Sequence, residues 1–117
     1  MSAAVVLVGR FWAHVGDGKW DEARALLADD FHADWPQTEE EILNADRYIE
    51  VNRELLAGAR CILLEATGVE EWAYTRVLIN KGTRYLWAVS FWTARNGKLT
   101  EVTEYFPLPK EPKYETH

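Results

Sequence analysis

The chain has 117 residues, 48% apolar and 13% aromatic, with 13 Lys and Arg against 19 Asp and Glu for a net charge of −6. That length supports one hydrophobic core and not two, and the apolar fraction excludes a disordered chain. The basic residues form no stripe, which argues against nucleic acid binding, and a lone cysteine, Cys61, excludes an internal disulfide and a thiolate metal cluster.

Residues 3 to 8 are apolar, but the run is short and Arg10 follows, so neither a signal peptide nor a membrane-spanning helix is expected. A cytoplasmic protein without membrane association is the reading. From Ser2, an available N-cap, apolar residues at Val5, Leu7, Val8, Phe11, Trp12 and Val15 predict a helix that Gly16-Asp17-Gly18 ends. A second, shorter helix is predicted from Trp20 to Ala28 by Trp20, Ala23, Leu26 and Leu27. Asp29 and Asp30 close it before a short strand, "FHADW", which Pro36 breaks. A third helix starts at Asn44, with Thr38 and Glu41 as a competing capping box, and its inner face is Ile49, Asn52, Leu55 and Leu56. Gly58 stops it.

Beyond Gly58 the period becomes two through "RCILLEATG", "EEWAYTRVLIN", "TRYLWAVSFWTAR" and "KLTEVTEYF", an antiparallel meander. Asn96-Gly97 marks one hairpin turn and Asn80-Lys81-Gly82 a longer one. Residues 1–107 read as a single α+β domain and 108–117, rich in proline and charge, as a surface tail. In the third strand of the meander, Trp87, Val89 and Phe91 share one face while Leu86, Ala88 and Trp92 make the other apolar too. A sheet apolar on both sides needs two covers, and a homodimer through its outer face supplies the second.

This order of elements, with "LLADDFHADWP" and "GKLTEVTEYF", resembles the nuclear transport factor 2-like superfamily and, within it, the SnoaL-like group. The resemblance implies a cystatin-like cone in which three N-terminal helices pack on a curved, mostly antiparallel sheet around an apolar pocket. It also implies a dimer through the outer sheet face. Ketosteroid isomerases of this fold need a tyrosine on the first helix, an aspartate base on the first strand and an acid on the penultimate strand. The matching positions here are Phe11, Trp35 and Val89, none of which can do that chemistry. Limonene-epoxide-hydrolase-like members use an Arg-x-Asp on a middle strand with a last-strand acid. Glu104 matches the latter, but the former falls near Glu71-Trp72-Ala73, and Arg76 has no Asp after it. SnoaL-like cyclases, which need chiefly the last-strand acid, are matched better.

Glu104 is therefore the expected catalytic acid/base, in an isomerase, cyclase or hydrolase type of chemistry without a cofactor. The same resemblance places Asn52 on the pocket wall, orienting Glu104 or the substrate. Phe11, Trp35, Arg76, Trp87, Val89 and Phe106 are the expected substrate-binding residues, for a compact hydrophobic small molecule. The residues alone leave two alternatives open. Glu104 is either an enclosed acid or a carboxylate at the mouth paired with Arg76 or Arg84, and the module is either catalytic or a non-catalytic ligand-binding or protein-interaction domain. Arg76 faces Glu104 or the dimer interface, depending on which face of residues 72 to 79 is inward. His14 and His32 read as surface groups, and the three histidines lack metal-ligand spacing, so no metal is expected.

Overall fold

The computed structural model describes residues 2–107; the expected tail at 108–117 lies outside the described residues. Helix α1 (Ala3–Gly16) starts where Ser2 Oγ accepts the Val5 N–H at 3.2 Å, and it buries Leu7, Val8, Phe11, Trp12 and Val15. The same hydroxyl donates to the Glu70 carbonyl at 2.8 Å, tying the helix start to the first hairpin of the meander. Helix α2 (Trp20–Ala25) ends short of Ala28, because Leu27 already pairs with Leu99. Strand β1 (Leu27–Trp35) is accordingly longer than "FHADW": sheet pairing overrides the helical spacing of Leu26 and Leu27.

Strand β2 (Glu40–Ile42) is an addition to the predicted elements and pairs antiparallel with the end of β1. Helix α3 (Ala45–Leu55) takes Asn44 as its cap, Oδ1 accepting the Arg47 N–H at 2.8 Å, and the competing start at Thr38 is unused. The helix buries Ala45, Tyr48, Ile49 and Asn52, whereas Leu55, expected inside, is exposed.

The meander comprises β3 (Arg60–Val69), β4 (Trp72–Lys81), β5 (Arg84–Arg95) and β6 (Lys98–Tyr105). The sheet order is β2-β1-β6-β5-β4-β3, with β1 parallel to β6 and every other neighbour antiparallel. Asn96 and Gly97 turn at φ of 53° and 76°, the positive values a two-residue turn of the primed kind demands. The β4–β5 turn falls a residue later than expected: Lys81 pairs with Arg84, leaving Gly82 and Thr83 as the loop.

The helices cover one face of this sheet, α1 against β3 and β4 and α3 against β1. On β4 the inward residues are Ala73, Thr75, Val77 and Ile79, so Arg76 faces outward, where it lies 3.5 Å from Glu65 and over the Trp87 ring at 5.3 Å. On β5 the buried residues are Ala88, Ser90, Trp92 and Ala94, which turns Trp87 and Val89 outward as well. Those three expected pocket residues lie on the far side of the sheet. Both faces of β5 are apolar, so alternation alone does not choose between them; the helices do, by packing on Trp92.

Strand β6 departs from strict alternation. Thr93 pairs with Glu101 but Ala94 with Leu99, an irregularity in which two residues of β6 oppose one of β5. Leu99 and Glu104, on opposite faces of a regular strand, are both buried as a result.

Candidate functional site

Glu104 is 1% exposed, and sheet register supplies its neighbours. Ser90 is its cross-strand partner on β5, and Trp35 follows Asp34, which pairs with Thr103 on the parallel side. Ser90 Oγ donates to Oε2 at 2.7 Å, and Trp35 Nε1 donates to Oε1 at 3.1 Å. From above the sheet, Tyr48 on α3 donates its phenol O–H to Oε1 at 2.7 Å. Among the described residues no cation pairs with this carboxylate.

Burial pushes the Glu104 carboxyl above its ordinary range, and the three hydrogen bonds from Tyr48, Ser90 and Trp35 pull the other way without overcoming it. Tyr48 is held well above the usual phenol range by burial and by the adjacent carboxylate, so it stays a neutral donor. The donor set accommodates both charge states. Indole can only donate, so Oε1 must keep an acceptor lone pair, whereas the Ser90 hydroxyl can rotate and accept a proton carried on Oε2. Both oxygens of this buried acid therefore keep a hydrogen-bond partner in either charge state.

An apolar cavity of about 590 Å³ opens between the C-terminal end of α3 and the β4–β5 hairpin. Trp12, Leu56, Ile79, Leu86 and Phe106 form its walls, with Trp35 meeting Phe106 edge-on at a centroid distance of 5.2 Å. Asn52 also lines it; its Nδ2 donates to the Tyr48 carbonyl at 2.8 Å and not to Glu104. Glu104 does not form the wall. Trp35 connects the two, lining the cavity on one side and holding the carboxylate on the other.

Of the residues expected from sequence, the structure brings together Trp35, Asn52 and Phe106 at the cavity and Glu104 behind Trp35. Phe11 packs instead in an aromatic core against Trp92 and Tyr48, at 5.4 and 6.2 Å between ring centroids. Arg76, Trp87 and Val89 are on the outer face, and Arg76 therefore does not neutralise Glu104. Trp35, read as inert where the isomerases need a base, is a hydrogen-bond donor. Sequence reasoning missed Tyr48 and Ser90. Tyr48 stands one turn before Asn52 on the same helix face, and Ser90 two residues before the inward Trp92, so helical and strand spacing both contained the signal. Neither histidine approaches the site: His32 pairs with Glu101 at 3.2 Å, and no cluster of metal-ligating side chains occurs among the described residues. Cys61 is a half-buried thiol that burial holds above its ordinary range, away from the thiolate form.

No protein-family model and no curated relative matches the sequence. The fold is matched by solved structures. A candidate ketosteroid isomerase from Kribbella flavida shares 25% identity over 97% of this chain and 84% of its own, with a TM-score of 0.89. A nuclear transport factor 2-like protein of unknown function from Burkholderia xenovorans is 25% identical over 94% of this chain and 87% of its own, with a TM-score of 0.82. A candidate SnoaL-like polyketide cyclase from a Jannaschia species shows the same fold at a TM-score of 0.75 and 14% identity, over 89% of this chain and 85% of its own. The chain is a helix-covered α+β cone, and its fold is the one seen in nuclear transport factor 2-like proteins.

Proposed function

We propose that the chain is a cofactor-independent small-molecule enzyme of the isomerase, cyclase or hydrolase type, with Glu104 as its acid/base. The supporting observation is the buried carboxylate held by three neutral donors and no cation, one of whose donors is also a wall of the apolar cavity. A group so enclosed is costly to keep ionised, and burial raises its carboxyl above the ordinary range, the direction that general acid/base work calls for. A compact hydrophobic substrate bearing a carbonyl or epoxide oxygen fits the apolar cavity, with Asn52 as a neutral polar contact. Entry of a ligand that turns the Trp35 indole aside uncovers Oε1.

A second reading, a ligand-binding module without chemistry, is favoured by the absence of Glu104 from the cavity wall and by the full set of donors already on its oxygens. The two separate on a carbon-detected NMR titration of Glu104 and on turnover of hydrophobic carbonyl compounds and epoxides. A carboxyl titrating well above the ordinary range, together with turnover lost in Glu104→Gln, supports the enzyme. Turnover undiminished by Glu104→Gln overturns it. The exposed aromatic outer face supports a further element of the same proposal, a homodimer through the sheet.

A further inference from the structure

Trp12 is 5% exposed and its indole Nε1 is buried without a hydrogen-bond partner, but that atom is closed off from the cavity, so the polar recognition the cavity offers lies elsewhere on its lining.

The charged feature of the lining is at the mouth. Lys81 and Arg84 are directly opposed across the tip of the β4–β5 hairpin, and both line the cavity. Side chains opposed in this way project on the same side of the ribbon, and like charges so placed repel. Lys81 Nζ donates to the Leu55 carbonyl at 3.1 Å at the C-terminal end of α3, and among the described residues neither cation has a carboxylate within salt-bridge distance. Glu40 is the acidic residue on the same rim, one negative charge against two positive. In a chain of net charge −6, a cationic pair at the entrance of an apolar cavity stands against the overall charge.

We infer that the cavity selects an organic anion: an apolar body whose carboxylate seats between Lys81 and Arg84. The carboxylate relieves the repulsion at the hairpin. The apolar remainder fills the space bounded by Leu56, Ile79 and Leu86. This rests on reading the cavity as a small-molecule site, but it does not depend on whether Glu104 performs chemistry.

Two matched probes test it on the full chain by isothermal titration calorimetry: naphthylbutanoate carries the charge and naphthylbutanamide lacks it. The wild type is expected to bind the acid about tenfold more tightly than the amide. Arg84→Gln, at an exposed position, should reduce this ratio while leaving the affinity for the amide unchanged, which also shows that the fold is intact. Equal binding of acid and amide by the wild type, or a ratio that Arg84→Gln leaves as it was, overturns the anion inference alone. Failure of both probes to bind overturns this inference and the small-molecule reading together.

Discussion

Trp35 and Glu104 join the first strand to the last: the indole at the end of β1 donates to the carboxylate near the end of β6 at 3.1 Å, across the parallel strand pair of the sheet. The indole has one face in the apolar cavity and its N–H on a buried acid. A substitution at either residue therefore acts on both the cavity and the charge state of the core.

Glu104 makes stability depend on pH in a definite direction. Its folded carboxyl titrates above the unfolded one, so the native state binds more protons between the two values and stability falls as pH rises through that window. Its contribution is complete below the ordinary carboxylate value of about 4.3 and is lost as pH passes the raised folded value. Urea unfolding of the wild type and of Glu104→Gln across this range should show the wild-type excess shrinking towards alkaline pH. A constant difference between the two proteins would refute the raised value.

Removing a donor should cost more when Glu104 is ionised than when it is protonated. Tyr48→Phe and Ser90→Ala each delete one hydroxyl hydrogen bond of 2.7 Å to the carboxylate. Each is expected to lose about 1.5–3 kcal/mol above the Glu104 titration and about 0.5–1.5 kcal/mol below it, since bonds to charged groups are the stronger. Both should also raise the Glu104 titration further. The double variant will not be additive, because the two hydroxyls serve one group. NMR titration alongside chemical denaturation checks both expectations.

The fold was legible because its signals are local. Asn44 caps α3, Asn96-Gly97 turns the last hairpin, and the switch of period after Gly58 separates helices from meander. What escaped depends on pairing between distant segments. Leu26 and Leu27 have helical spacing, yet Leu27 joins β6, and β2 is three residues long with no pattern of its own. On β5 both faces are apolar, so Trp87 and Val89 read as pocket residues when the inward neighbours are Ala88 and Ser90. At Glu104 the sequence places an acid on a face with Val102, but its burial comes from Tyr48 and Trp35 closing over it, a tertiary fact.

Gly68 is required by a close approach of backbone to backbone. A Cβ built there would lie 2.1 Å from the Trp72 carbonyl oxygen, and neither strand of the β3–β4 hairpin can yield a flexible side chain to make room. Gly68→Ala should destabilise by about 3 kcal/mol or more, at the upper end of single substitutions. The damage should spread to the start of α1, because Ser2 and Ala4 bond the Glu70 carbonyl in the same hairpin. Amide exchange read at Val5 and Thr75 would show whether it does.

The outer face of the sheet carries Tyr74, Phe91 and Tyr105 in a contiguous aromatic row, with ring centroids 5.4 and 6.4 Å apart, and Phe91 is 38% exposed. Trp87 is on the same face of the sheet, under the Arg76 guanidinium. A continuous apolar face of this kind is the sort that a second copy covers on an isologous interface, and Phe91 sits near its middle. The wild type is expected to sediment as a dimer at micromolar concentration, and Phe91→Arg, which places an unpaired charge on the same face, as a monomer. Because Phe91 points away from the cavity, the variant should keep its affinity for cavity ligands. A wild type that sediments as a monomer would remove the dimer from the proposal and leave the cavity and the Glu104 network untouched.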